Sequence, residues 1–409
     1  MLKFNVEFYD KKHRDLLKKL SSFPAMENYA EKGFQVQKEV FLIYSVFEHQ
    51  KKRDSYRTYN DLKRLVSKVN IFQEYFELNE TVRSQFDDSD DQYKAFTGAA
   101  GVGVALSLAS SLYGLTEADW ERKPDLTTKD LDFKIASTGK HYIEVEAKGT
   151  IVEDVTSKVS KISNKKTDIE AKKNIQRNRR DNQNTLIGII TAIPSSKQQK
   201  ATCYLLDPPA GEQEEDAFKY KLLARLYYYW RELHIISKTH LLAALANRIK
   251  DIELVRDYKS LNSMPLLNRN NNEFDVPSSL FSSLSTTEAK IAFGEVIPQN
   301  ESETEFFFYG MAAEIPEMLI QQNFEEITNL KFAPESFHEI RITARVKKRE
   351  LTKYKGRFLN KGSEETEEPG LKSREEIKMI ANLFKTTAGR VFGYARPIYK
   401  DCRNEVNSR

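Results

Sequence analysis

Asp132, Glu146 and Lys148 are the residues of this chain whose types and spacing can do chemistry. They belong to two short apolar runs, Asp132-Phe133-Lys134-Ile135 and Ile143-Glu144-Val145-Glu146-Ala147-Lys148-Gly149. Ser137-Thr138-Gly139-Lys140 between them predicts a turn, and hence a hairpin. Alternate side chains of a strand share a face, so Glu144, Glu146 and Lys148 point one way and Ile143, Val145 and Ala147 the other. Carboxylates and an ammonium gathered on a sheet surface are costly to bury without a partner, and a divalent cation is a partner that accounts for them. Mg²⁺ (or Mn²⁺) takes oxygen ligands, usually one or two carboxylates with waters and a substrate phosphate. Asp132 and Glu146 supply the carboxylates, the Ala147 carbonyl supplies a further oxygen, and Lys148 is placed to position or help deprotonate a water. A metal ion acidifies its bound water and neutralises charge building on a scissile phosphate. This is the chemistry of phosphodiester hydrolysis.

The pattern resembles the PD-(D/E)xK nuclease superfamily, restriction endonuclease-like enzymes that include many restriction enzymes, resolvases and repair nucleases. The resemblance rests on Asp125 or Asp132 followed by Glu146-Ala147-Lys148. The literal Pro-Asp pair is Pro124-Asp125, whereas Asp132 lies nearer the Glu-x-Lys and in the better strand; Asp132 is the favoured ligand and Asp125 its competitor. Glu144 reads either as an outlying acid of the same site or as the polar face of the strand. The resemblance implies a mixed α/β fold built on an αβββαβ core.

Just beyond the motif, residues 157–180 carry nine Lys or Arg against Asp168 and Glu170, a local charge of +7. A basic helix beside paired acids is what a phosphate backbone requires. Its apolar stripe runs Val155, Val159, Ile162, Ile169 at helical spacing. Related nucleases carry a Gln, Lys or Arg on this helix that reaches the active site, which makes Gln176 with Lys172 or Lys173 the accessory candidates implied by the resemblance. Arg177, with Arg179 and Arg180, fits a phosphate clamp or a helix C-terminus stabilised by cations.

The surrounding chain must position these residues. Its 409 residues suffice for two or three domains, and 40% hydrophobic with 30% charged residues fits a soluble protein with a substantial core. Residues 1–91 read as an N-terminal helical region. The nuclease core covers 92–210, with a helix at Tyr93–Tyr113, a first strand at Asp119–Arg122, the two motif strands, the basic helix, and strands at Thr185–Ile193 and Ala201–Asp207. A helical segment covers 211–265, in which Tyr227-Tyr228-Tyr229-Trp230 reads as core. A C-terminal α/β accessory domain covers 266–409, with a final helix at Arg374–Thr387.

Several classes are excluded. Gly98-Ala99-Ala100-Gly101-Val102-Gly103 lacks both the Lys-Ser/Thr of a phosphate loop and the preceding strand of a dinucleotide fold. Residues 95–116 are uncharged and long enough to cross a bilayer, but their Gly, Ser and Ala content predicts a helix packed on the nuclease sheet rather than a span. Cys203 and Cys402 have no metal or disulfide spacing and fit a cytoplasmic location. The six histidines lie near no nucleophile elbow. The expected function is a Mg²⁺-dependent deoxyribonuclease, an endonuclease of restriction or phage defence. DNA is preferred over RNA because the resembling family mostly cuts DNA. The expected partners are nucleic acid and a second copy of the chain or a defence-system subunit, with no membrane. The alternative is a nucleic-acid-binding scaffold that keeps the fold without catalysis, Glu146 and Lys148 then forming a solvated ion pair.

Overall fold

The computed structural model describes residues 1–48, 59–86, 94–122, 134–156, 159–176, 185–196, 198–206, 216–236, 240–268, 270–272, 274, 283–286, 290–298, 305–347 and 374–398. The chain divides into two compact units, Met1–Tyr228 and Tyr229–Arg409.

The first unit opens with strand β1 (Leu2–Phe8), helices α1 (Lys11–Leu17) and α2 (Phe23–Lys32), and β2 (Phe34–Val36). Helix α3 (Lys38–Leu42) continues through a wider helical stretch to Glu48, and α4 (Tyr59–Tyr75) leads into the small hairpin β3 (Phe76–Leu78) and β4 (Val82–Ser84). The long helix α5 (Lys94–Tyr113) is followed by β5 (Glu121–Arg122), β6 (Lys134–Ser137), β7 (Tyr142–Val152), α6 (Ser160–Gln176), β8 (Thr185–Pro194), β9 (Thr202–Leu206) and α7 (Ala217–Ile236), in which the unit boundary falls.

These strands form one seven-stranded sheet in the order β2-β1-β9-β8-β7-β6-β5. Strands β5, β6 and β7 run as an antiparallel meander, and β8 returns parallel to β7 through the crossover helix α6. Residues 1–91, expected to be helical throughout, contribute four strands among their described residues. In β1, Leu2, Phe4 and Val6 are buried while Lys3, Asn5 and Glu7 are exposed, the period-two alternation of a half-buried strand. Its parallel partner, β9, lies about two hundred residues away, so no local signal announces the pairing.

Helix α5 packs against β7 and β8. It is the one helix among the described residues long and apolar enough to cross a membrane, and 72% of that window is buried inside the protein. Two of its glycines, Gly101 and Gly103, make room for close packing. A Cβ on Gly101 would stand 2.4 Å from the Gly149 Cα of β7, and one on Gly103 would stand 1.9 Å from Ser45 Oγ. On the opposite side of the sheet, Val155, Ile162 and Ile169 join Tyr9, Ile190, Ala192, Tyr204 and Leu206 in a buried cluster, with Val159 packed at its edge. The stripe read from the sequence is therefore the face that seats α6.

The second unit contains α8 (His240–Leu254), β10 (Ser283–Ser285), β11 (Lys290–Pro298), β12 (Phe306–Ala312), α9 (Ile315–Gln321), α10 (Phe324–Asn329), β13 (Glu335–Lys347), β14 (Arg374–Lys385) and β15 (Arg390–Pro397). Its strands close into an antiparallel barrel, β10-β11-β12-β15-β14-β13, filled by Val296, Phe306, Phe308, Ile342, Met379, Leu383 and smaller residues. The helix expected over Arg374–Thr387 is strand β14. Ile377, Met379, Ala381 and Leu383 alternate into the barrel, and pairing with β13 on one side and β15 on the other outweighs the local helix preference of Arg-Glu-Glu-Ile-Lys-Met. Outside the barrel core, Glu232 accepts hydrogen bonds from Arg390 at 3.0 Å, Arg231 at 2.9 Å and the Tyr309 hydroxyl at 2.5 Å, all of them buried.

Candidate active site

The site is built on β7, a central strand, and its register settles which residues share a face. The turn into it is locked by Thr138 Oγ1, which accepts from the amides of Lys140 and His141, while Gly139 takes φ +91°, a conformation that favours glycine. Across the hairpin Ser137 pairs with Tyr142, Ile135 with Glu144 and Lys134 with Val145. Across the parallel edge, Glu146 pairs with Gly188 and Lys148 with Ile190.

A Cβ on Gly188 would stand 3.1 Å from Ile169 Cγ2 of α6, and Ile190 and Val152 belong to the α6 cluster. The even-numbered positions of β7 therefore face α6. A Cβ on Gly149 would instead stand 2.2 Å from the Thr97 carbonyl of α5, which assigns the odd-numbered positions to α5. Glu144, Glu146 and Lys148 thus lie on the side of the sheet that carries the basic helix, and Val145 and Ala147 on the other.

Burial separates these residues from an ordinary charged surface. Glu144 and Glu146 are wholly buried at 0% exposure. Lys148 keeps 20% of its side chain in solvent and places Nζ 3.0 Å from Glu146 Oε1. Glu144 and Glu146 therefore do not face bulk solvent, and Lys148 reaches it only in part. Among its even positions, β7 places two carboxylates and one ammonium on the α6 side.

Helix α6 follows β7 and precedes the parallel strand β8, so it runs back along the sheet. With Ile169 over Gly188, its last turn, carrying Lys172, Lys173 and Gln176, is directed towards the start of β7. The side chains of those three residues lie outside the described part of the structure, as does Arg177 altogether. The first turns of α6 are anchored rather than free. Lys166 donates to Glu170 at 2.8 Å, His13 of α1 lies 3.5 Å from the same carboxylate, and the Lys166 ammonium stands over the Tyr9 ring. The hydrogen bond to Glu170 raises the Lys166 pKa above the usual lysine value. Part of the +7 read from the sequence is thereby spent inside the fold.

Asp125 and Asp132 lie outside the described residues. In sequence, Asp132 stands two residues before Lys134, which pairs with Val145 beside Glu146. Among the described residues no group of three or more His, Cys, Asp or Glu could hold a metal ion. Glu146 and the Ala147 carbonyl are thus the described members of the expected ligand set, and both are hard oxygen donors of the kind Mg²⁺ prefers.

One feature beside the site escaped the sequence. Arg225 of α7 grips Asp119 with two hydrogen bonds, 2.6 Å to Oδ1 and 3.0 Å to Oδ2, and Asp119 also accepts from the Thr116 amide at 2.8 Å. All three are buried. The pair fixes the turn that leads into β5, the outer strand of the meander. Its partners are 106 residues apart, and only the Thr-x-x-Asp spacing of the capping box was visible locally. No family model matches the chain, and no curated protein or solved structure matches it.

Proposed function

We propose that the first unit is a metal-dependent nuclease acting on nucleic acid, with DNA as its substrate. One observation carries this reading: a Glu-x-Lys on a central strand, with its carboxylate wholly buried, its ammonium partly open, and both on the face that a basic helix covers. The order α5, β5, β6, β7, α6, β8, with an antiparallel meander and a parallel return, supports the resemblance to PD-(D/E)xK nucleases because it follows the αβββαβ order.

The residues fit a Mg²⁺ or Mn²⁺ ion in donor chemistry, since Glu146 and the Ala147 carbonyl offer hard oxygen donors. Glu146 and the Ala147 carbonyl would hold the ion, with Asp132, or Asp125 in its place, as the other carboxylate. When bound, such an ion supplies Lewis acidity towards a phosphate oxygen and acidity to a bound water. Lys148, ion-paired with Glu146 at 3.0 Å, fixes the carboxylate and places positive charge beside a water or a phosphate oxygen. Burial keeps bulk water from Glu146 and strengthens these interactions. The last turn of α6, with Lys172, Lys173 and Gln176, is directed towards the start of β7, on the Glu144 side of Glu146, and would meet the substrate backbone.

Cleavage of supercoiled plasmid, linear duplex, single-stranded DNA and RNA with Mg²⁺, Mn²⁺ or EDTA tests the proposal. Metal-dependent cutting by the wild type, lost in Lys148→Ala and in one of Asp132→Ala and Asp125→Ala, is the expected result. Absence of cutting on every substrate, with nucleic-acid binding unchanged in all variants, would overturn it in favour of a binding scaffold.

A further inference from the structure

The barrel of the second unit has two unlike outer sides. Along β11 and β12 the outward side chains Phe293, Glu295, Phe307 and Tyr309 are all buried, so that side is covered. Along the middle of β13 and β14 and the end of β15 the outward side chains Arg341, Lys378, Asn382 and Arg396 are exposed, whereas Phe384, Arg390 and Phe392 at the other end of β14 and β15 are outward and buried. Ile342, Ala344, Met379, Ala381 and Ala395 point inward to the core, and the alternate positions must therefore point out.

The register arranges these outward residues in rows. Arg341 pairs with Ile380, and Ile380 with Arg396, so two arginines flank one isoleucine across three strands. At the strand spacing of a sheet their Cα atoms lie about 10 Å apart. In the next row Lys378 pairs with Thr343, and its carbonyl accepts from the amide of Ile398 at 2.9 Å. In the row on the other side Asn382 pairs with Tyr394, whose ring stands edge-on to Phe307 at 5.2 Å. Arg341, Lys378 and Arg396 are exposed, Ile398 is 41% exposed, and Ile380 and Tyr394 are half-buried. Glu339 approaches Arg396 only at 3.8 Å, with both side chains largely in solvent, a contact that an incoming phosphate displaces at little cost.

We infer that the open β13–β14–β15 face of the barrel is a contact surface for a single nucleic-acid strand. The cations stand where phosphates can pair; Ile380 lies between two of them, and Tyr394 and, just past β15, Ile398 stand on either side of Arg396 and extend an apolar floor for bases. Surfaces that hold single strands combine these two parts, a cationic track for the backbone and side chains on which unpaired bases rest. A duplex hides its base faces and can use only the cations. The inference stands on residues of the second unit and does not need the metal site of the first.

The test is fluorescence anisotropy of labelled oligonucleotides with the full chain in EDTA, across a salt series. The wild type should bind a single strand more tightly than the duplex of the same sequence. The combined variant Arg341→Ala/Lys378→Ala/Arg396→Ala should bind at least about tenfold more weakly, with the slope of log affinity against log salt reduced by about 2, three phosphate contacts being removed. Tyr394→Ala should weaken the single strand and leave the duplex unchanged. All of these affinities are read in EDTA, without turnover, so loss of cleavage and loss of this surface read out separately. A triple variant with wild-type affinity and salt slope would overturn the assignment, as would a wild type that binds polyglutamate but no oligonucleotide.

Discussion

The two faces of strand β7 solve opposite problems with the same eleven residues. Towards α5 the strand is made small: Val145 and Ala147 lie flat, and Gly149 lets the Thr97 carbonyl and the Gly101 backbone approach to distances no side chain permits. Towards α6 it places Glu144, Glu146 and Lys148. The first face gains stability from close packing. The second gives stability up, since a buried ion pair is at best near neutral against apolar residues of the same volume. A strand that is well packed on one side and charged and buried on the other is what a catalytic strand needs, a rigid back and a reactive front.

The largest expected effect breaks the front alone. Glu146→Gln and Lys148→Met each lower metal-dependent cleavage on the order of 10³-fold, measured under single turnover; the melting temperature stays near that of the wild type in Glu146→Gln and falls in Lys148→Met, which leaves the buried Glu146 carboxylate without its cation. The buried Arg225–Asp119 pair sharpens the contrast as an ion pair without chemistry. Arg225→Met leaves Asp119 buried without its cation and costs about 3–5 kcal/mol in urea unfolding, and the Asp119→Leu/Arg225→Met double variant recovers most of it. On the back face, Gly149→Ala pushes a methyl against the Thr97 carbonyl and costs about 3 kcal/mol, again by urea unfolding, with activity per folded molecule retained.

A smaller effect follows from β9, where burial raises both the Cys203 thiol and the Tyr204 hydroxyl to about 12. In the unfolded chain these groups lose their protons from about pH 9 for the thiol and pH 10 for the phenol. Above those values the unfolded state binds fewer protons than the folded one, so stability falls as pH rises towards 12. Cys203→Ala should remove the part of that decline between pH 9 and 10, measured by urea unfolding across the range. The smallest effect is at the last turn of α6: Lys172→Ala and Lys173→Ala should raise KM a few-fold and flatten its salt dependence, with kcat nearly unchanged.

The elements around β7 were legible because their signals are local. The Ser-Thr-Gly-Lys turn, the alternation along β7, the small residues of α5 and the Val155–Ile169 stripe each act within a few residues, and the elements lie where those patterns end. Burial was not legible: Glu144 reads the same in sequence whether its face meets water or helix α6. Strand β1 was missed because its partner, β9, is distant in sequence. In β14, Ile377, Ile380 and Phe384 offer a helical stripe while Ile377, Met379, Ala381 and Leu383 offer a strand face, and only closure of the barrel decides between them. The Arg225–Asp119 clamp joins residues that no spacing rule connects.

The central claim is that the Glu146–Lys148 pair exists for chemistry and not for stability. Cleavage and melting temperature measured together on the Glu146→Gln/Lys148→Met double variant test it most directly. The account predicts that metal-dependent cleavage disappears while the melting temperature is unchanged or raised. Retained cleavage, or a variant that melts several degrees lower when the wild type cuts nothing, would contradict it.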